Sequence, residues 1–302
     1  MAGLTMDELS QIAARRDRQR HTVKNIFAIG LRLTALTTFL LAFAMLFTII
    51  VKGFPAINAE FLTTGPRENM SAGGIRPMIR GSLLIMAGAL LSAIPLGILG
   101  GMFLAEFSDR YRTVKFVRSC VSALAGTPSI VFGLFGMTLF IILPRIQPNL
   151  VAGCLTVAIM ALPIVVQSTE QAIRSVPESV VEAAEAIGLT RAQGLFKVIL
   201  PAAIPGIATG LILAIGRAAG EAPPIFLTAG IYYSTGGFQW GLDMLKKPVE
   251  NLPYHLAEGY RQGGSIPDKI IWGTCLVLMA MILCINLISI LIRNRSRKNL
   301  SQ

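Results

Sequence analysis

Residues 81–105 read GSLLIMAGALLSAIPLGILGGMFLA, 25 consecutive positions without Asp, Glu, Lys or Arg. About 20 helical residues cross the ~30 Å hydrocarbon layer of a bilayer, and a helix satisfies its own backbone there without water. A buried helix of a soluble protein explains one such run but not a series. Moving outward, residues 33–51, 119–144, 146–169 and 270–292 are equally free of charge. Residues 198–216 form a sixth run, which passes through Arg217 and Glu221 into the uncharged stretch 222–242. Together they predict an all-α integral membrane protein with six transmembrane helices. The composition agrees: 53% of residues are hydrophobic and 14% charged, against about 25% charged in ordinary soluble domains.

The net charge of +11 raises the question of nucleic acid, and the distribution of basic residues answers it. If the N-terminus is cytoplasmic, sixteen Lys and Arg fall on the inner side: Arg15, Arg16, Arg18, Arg20, Lys24, Arg110, Arg112, Lys115, Arg118, Arg174, Arg191, Lys197, Arg293, Arg295, Arg297 and Lys298. Only nine fall in the outer segments, which are longer in total. This is the positive-inside bias of a membrane protein with both termini cytoplasmic and an even number of spans, so a nucleic-acid partner is not implied.

The domain reading follows. Residues 1–25 form a cytoplasmic tail, 26–52 a first transmembrane helix, 77–292 a five-helix membrane domain and 293–302 a cytoplasmic C-terminal tail. The first apolar run begins only after about thirty residues and has full span length, so it is expected to remain as an uncleaved anchor. Gly65, Pro66, Gly73 and Gly74 predict a loop between the first two spans, and Pro144 and Pro148 a tight hairpin between the third and fourth. Tyr232, Tyr233, Trp240, Tyr254 and Tyr260 place part of the segment before the last span at the outer membrane interface. Cys120, Cys154, Cys275 and Cys284 all fall in spans without metal-like spacing, so they read as buried hydrophobes, and no metal site is expected.

The most specific signal is a cytoplasmic elbow at residues 175–197. Ser175, Val176, Pro177 and Glu178 have the form of a capping box opening a helix, Gly188 suits its C-terminal stop, and Thr190 to Gln193 form a second capping box. On the first helix Val180, Ala184 and Ile187 share a face, while Ala183 and Ala186 let another surface approach closely. A short amphipathic helix projecting from a membrane domain suits docking into a partner's groove.

Glu182-Ala183-Ala184, then Gly188 and Leu200-Pro201, resemble the EAA motif of the import permeases of ATP-binding cassette (ABC) transporters, with Val198 at a position where that motif has Ile. The resemblance implies a type I ABC importer permease fold, and makes the elbow the coupling helix that engages an ATPase subunit, through Glu182, Ala183, Ala184 and Gly188. No G-x-x-x-x-G-K-[ST] occurs in the chain. It is therefore expected to bind no cofactor and not to be an enzyme, with ATP and Mg held by partner subunits.

The run around residues 198–221 carries the only charge pair inside a predicted span. Gly206, Gly210, Leu213, Arg217, Gly220 and Glu221 lie on one helical face, opposite Leu211, Ile212 and Ile215. The small-xxx-small spacings permit close helix approach, and Arg217 and Glu221 at i, i+4 can pair to lower each other's burial cost. Two roles fit the residues alone: Arg217 offers charge to an anion while Glu221 holds it between passages, or the two form a structural ion pair. A guanidinium fork matches the oxygens of phosphate.

Gly126-Thr127-Pro128-Ser129-Ile130-Val131-Phe132-Gly133-Leu134-Phe135-Gly136 and Ala214-Ile215-Gly216-Arg217-Ala218-Ala219-Gly220-Glu221-Ala222-Pro223 are similar to segments of phosphate-specific transport permeases of the PstA type. Gly73-Gly74-Ile75, Pro95-Leu96-Gly97 and Leu104-Ala105-Glu106 also fit. That resemblance implies phosphate as solute, with Arg217 and Glu221 in its path, in a bacterial cytoplasmic membrane. It also implies a PstC-type second permease, two PstB-type ATPases and a PstS-type periplasmic phosphate-binding protein. Sulfate, molybdate or phosphonate permeases, and an ATP-independent secondary transporter, are the competing readings.

Overall fold

The computed structural model describes residues 6–70, 72–107, 111–231, 241–261 and 266–300. The chain divides into two units, residues 1–52 and 53–302. The first unit is nearly all one helix, α1 (Met6–Gly53), which takes in most of the tail expected before the first span. From Phe27 onward its apolar side chains are exposed on every side, among them Phe39, Phe43 and Phe47, stacked along the helix at 6.3 Å spacings. Such an all-round apolar helix suits a lipid environment.

The second unit opens with a small folded cap where a loop was expected. In α2 (Ala59–Thr63) the Asn58 side chain caps the first turn, accepting from the Phe61 amide at 2.7 Å. The strands β1 (Pro66–Arg67) and β2 (Ala72–Gly73) form an antiparallel hairpin, with Gly73 at φ +86°. Phe61, Met70, Ile75 and Met78 then bury themselves with Leu252 and Ile266. The glycines that signalled a loop are thus the turn positions of an ordered element.

The long helix α3 (Arg76–Glu106) is followed by α4 (Arg112–Ala125) and α5 (Ser129–Met137), the latter prolonged by one π-helical turn, Thr138–Ile142. The expected single span over 119–144 is broken: α4 and α5 meet at 105°. Pro128 has no amide hydrogen to donate and its ring disfavours helical backbone at Thr127, so the helix stops at Ala125 and restarts at Ser129.

At the centre runs α6 (Leu150–Arg174), capped by Asn149, whose side chain accepts from the Ala152 amide at 2.9 Å. It packs along α3 through small residues: a Cβ at Gly97 would stand 2.5 Å from Val165, so only glycine lets the helices come so close. The main core gathers Ile85, Ala89 and Ala93 of α3 with Val157, Met160 and Ala161 of α6. The elbow helices α7 (Glu178–Ala186) and α8 (Arg191–Gly194) follow, and a π-helical turn, Leu195–Ile199, leads into α9 (Leu200–Gly220).

The uncharged run beyond Glu221 does not continue α9. Pro223 and Pro224 disfavour helical backbone ahead of them, and Glu221 is extended at φ −79°, ψ 130°. The short α10 (Pro223–Thr228) turns back against α5 and α6. Its seat is Gly133, where a Cβ would come within 3.0 Å of the Pro223 carbonyl oxygen.

Tyr232, Tyr233 and Trp240 lie outside the described residues. The chain returns as a buried strip: the Leu150 amide donates to the Lys247 carbonyl at 3.0 Å and the Leu252 amide to Ser82 Oγ at 2.8 Å. Next, α11 (Leu252–Arg261) buries His255 and Glu258 and exposes Tyr260. Burial holds the His255 imidazole down at a pKa of about 4. The last helix is α12 (Asp268–Leu300). Among the described residues five helices are long and apolar enough to cross a membrane, and six spans result when the bent α4/α5 pair counts as one.

Candidate functional site

Two places carry the chemistry that the sequence singled out. The first is the C-terminal half of α9. Taking about 100° per residue from Gly206, the buried positions 203, 207, 210, 214 and 218 centre near about 80°, on the side of α6. There a Cβ at Gly206 would stand 2.7 Å from Ala172 Cβ, and one at Gly210 would overlap Ser168. A second seam, near about 300°, faces α12: Arg293 donates to Thr209 Oγ1 at 3.4 Å, and a Cβ at Gly216 would lie 3.4 Å from Asn286 Oδ1. The single small-residue face expected from the sequence is therefore two packing seams.

Leu213 and Arg217 lie between the seams, and Leu213 is 64% exposed. Arg217 Nε sits 3.5 Å from Glu221 Oε1, with the Arg217 side chain 35% exposed and that of Glu221 15%. This is one loose contact, not a two-bond fork, so the guanidinium keeps most of its donors for something else. Leu213, Arg217 and Gly220 form the open side of α9 in the isolated chain.

The second place is the elbow. Its opening differs from expectation: Ser175 is the C-cap of α6 and its hydroxyl donates back to the Ala172 carbonyl at 2.7 Å, while α7 begins behind Pro177 with no side-chain cap. Pro177, fixed at φ −57°, ψ 139°, separates the two helices without a capping box. The end of α7 is as read. Gly188 has φ +79°, its amide donates to the Glu185 carbonyl at 2.9 Å and the Leu189 amide to the Ala184 carbonyl at 3.3 Å, the paired bonds of a Schellman stop. The second capping box is also present, with the Gln193 amide on Thr190 Oγ1 at 3.3 Å and the Thr190 amide on Gln193 Oε1 at 3.1 Å.

One face of α7, Val180, Val181 and Ala184, turns inward, and Ala184 is buried. Ile187, expected on that face, is 75% exposed because Gly188 ends the helix beside it. Glu182, Ala183, Ala186 and Ile187 make the outward face, with an acid, two small residues and one apolar side chain. A cavity of about 180 Å³ lies under the elbow, lined in part by Glu106, Val181, Ala184 and Arg191.

A third charged group escaped the sequence reading. Glu170 in the last turns of α6 receives Arg118 of α4 at 2.7 Å and Arg174 at 3.1 Å. The pairing of Glu170 with Arg174 has the i, i+4 spacing that a sequence can signal. Arg118 is 52 residues from Glu170 and leaves no local trace.

The overall fold agrees with known proteins that this chain resembles. Residues 93–302 match the family described as binding-protein-dependent transport system inner membrane component. The chain belongs to that family. Among its relatives is the probable ABC transporter permease protein YqgI of Bacillus subtilis, 36% identical over 79% of this chain and 84% of that one. The phosphate transport system permease protein PstA of Xylella fastidiosa (strain 9a5c) is 32% identical over 82% and 85%. That of Haemophilus influenzae is 30% identical over 80% and 84%. In structure, the chain resembles a bacterial ABC transporter for import of the polysaccharide alginate, with a TM-score of 0.64 at 18% identity over 94% of this chain and 99% of that one. It also resembles the MetNI methionine ABC transporter, with a TM-score of 0.57 at 18% identity over 73% and 96%. This family member is thus an inner-membrane permease component with the type I importer fold, and not itself an enzyme.

Proposed function

We propose that this chain is one of two permease subunits of an ATP-driven importer of inorganic phosphate, with Arg217 in the anion path and the outward face of α7 seated on an ATPase subunit. The observation that carries this reading is Arg217: a permanent charge on an apolar span, held at 3.5 Å by a single carboxylate and a third exposed on the open side of α9. An intramembrane cation of this kind marks an ion or substrate path more often than a fold-stabilising pair. A phosphate entering the path replaces Glu221 as the partner of the guanidinium, and that attraction offsets the loss of its hydration. Glu221 then re-forms the pair when the anion leaves. The PstA name of several relatives supports phosphate as the solute.

The partners follow from that role: a PstC-type permease completing the path, two PstB-type ATPases holding ATP and Mg, and a PstS-type periplasmic binding protein. Both termini are cytoplasmic, which places the elbow beside the ATPases. The test is ATP-dependent uptake of labelled phosphate by the purified complex in proteoliposomes, with sulfate, molybdate and a phosphonate as competitors. Uptake that requires ATP and resists all three is expected. Equal competition by sulfate, or uptake without ATP, would rule the proposal out.

A further inference from the structure

Where α3 ends, four of its carbonyls lack helical partners, as at any helix C-terminus. One of them, at Leu104, accepts from two arginines at once: Arg118 Nη2 of α4 and Arg174 Nη2 of α6, each at 3.3 Å. The same two guanidinium groups converge on one carboxylate. Glu170 Oε1 receives Arg118 Nε at 3.0 Å and Nη2 at 2.7 Å, and Arg174 Nε at 3.1 Å. Glu170 is 8% exposed. Positive charge at a helix C-terminus is favourable, and the central acid keeps the two cations from repelling each other. Leu104, Val114 and Val166 close an apolar cluster over this joint from the same three helices.

The elbow hangs directly from this joint. Arg174 is the last residue of α6, and Pro177 opens α7 three residues later. On the other side, Leu195 and Ile199 of the π-helical turn pack with Met102 of α3 and with Ala172 and Ile173 of α6. The ends of α3, α4 and α6 therefore form a base plate from which the elbow projects.

We propose that Glu170 is a positioning residue for coupling: it locks the ends of α3, α4 and α6 into one rigid body, so that displacement of the elbow moves all three helices together. The proposal rests on the reading of α7 as the ATPase contact and deepens it. Without Glu170 the two arginines repel, the tie between α4 and α6 is lost, and the elbow swings without carrying the membrane helices. ATP hydrolysis then continues while transport falters.

The experiment uses the complete complex in nanodiscs and proteoliposomes, carrying Ser179→Cys on α7 and Ser122→Cys on α4, both exposed, with the four native cysteines replaced. Spin labels at the two sites report whether elbow and α4 hold a fixed separation. A single narrow distance is expected with Glu170 present, and a broad distribution in Glu170→Gln, with phosphate moved per ATP hydrolysed falling about tenfold, within the range of measured couplings. The double variant Arg118→Gln with Glu170→Gln removes charge and partner together. If Glu170 only neutralises arginine, the double variant regains the narrow distance and the ratio, and the proposal fails; if Glu170 is a tie, both stay defective. A Glu170→Gln complex with unchanged distance and ratio overturns it equally. Should that variant not assemble, Arg118→Lys keeps the charge and loses the fork, and unchanged distances in it also overturn the proposal. A wild-type complex that hydrolyses ATP without moving phosphate sinks the phosphate reading alone, since the label distances still judge Glu170.

Discussion

Two of the arginine–glutamate sites among the described residues are alike in residue type and opposite in construction. At the base of α6, Glu170 is buried, takes three hydrogen bonds from two arginines and shares both of them with a helix-end carbonyl. At the end of α9, Glu221 makes one contact at 3.5 Å to an arginine that stays a third exposed. A site built for stability saturates its donors, as the first does. The second leaves donors over, which suits a group that must change partners.

The comparison breaks most visibly on stability. Arg118→Leu takes the fork from the buried Glu170, and removing one partner of a buried pair costs about 3 kcal/mol or more. The midpoint of thermal denaturation in mild detergent should fall by several degrees. Arg217→Leu, at the open site, should lower it far less. Equal losses from the two variants would erase the distinction.

His255 separates burial from ion pairing. Its folded pKa, about 4, lies below the ordinary value of 6.5 because of desolvation. The stabilisation is therefore present above pH 6.5 and is lost as pH falls toward 4, to the extent of roughly 3 kcal/mol. Melting of the wild-type complex should drop between pH 7 and pH 4.5, and His255→Phe should flatten that part of the profile. An unchanged acid profile in the variant would show that His255 does not titrate in this range.

A smaller effect is expected at Gly188, where the backbone sits at φ +79° and a Cβ would meet nothing within 4 Å. Alanine there costs only the left-handed conformation, about 1 kcal/mol, whereas valine strains the turn further. Both variants should insert and assemble, with uptake and solute-stimulated ATP hydrolysis reduced together and more in valine. Normal stimulated hydrolysis in Gly188→Val would separate the elbow from coupling. The smallest effect belongs to Arg191, whose side chain is 83% exposed and reaches Glu106 at 3.8 Å. Its alanine variant should melt within about 1 kcal/mol of wild type, and a larger loss would make that pair part of the base plate.

What could be read from the sequence follows from the range of the forces involved. The spans, the Gly188 stop, the Thr190–Gln193 box and the Arg217–Glu221 pair all depend on neighbours within four residues, and each is legible. Ser175 misled because it has the cap pattern but sits at the end of α6, where its hydroxyl finds the Ala172 carbonyl first. The uncharged run 119–144 hid a right-angle break, since hydropathy ignores what Pro128 does to the residue before it. The Glu170 site joins α3, α4 and α6 across separations of 52 and 70 residues, and only the packing of α3 on α6 through residues such as Gly97 brings it together.

The assignment of Arg217 to an anion path meets its most direct test in phosphate uptake by a complex carrying Arg217→Leu with Glu221→Leu. Replacing an ion pair by apolar residues is often neutral for folding, so the double variant should assemble with its partners and melt near the wild-type temperature. It should nonetheless move no phosphate, and Arg217→Lys, which keeps the charge without the fork, should retain part of the uptake. Full phosphate transport by an intact Leu/Leu complex would contradict that assignment and leave Arg217 and Glu221 a structural pair.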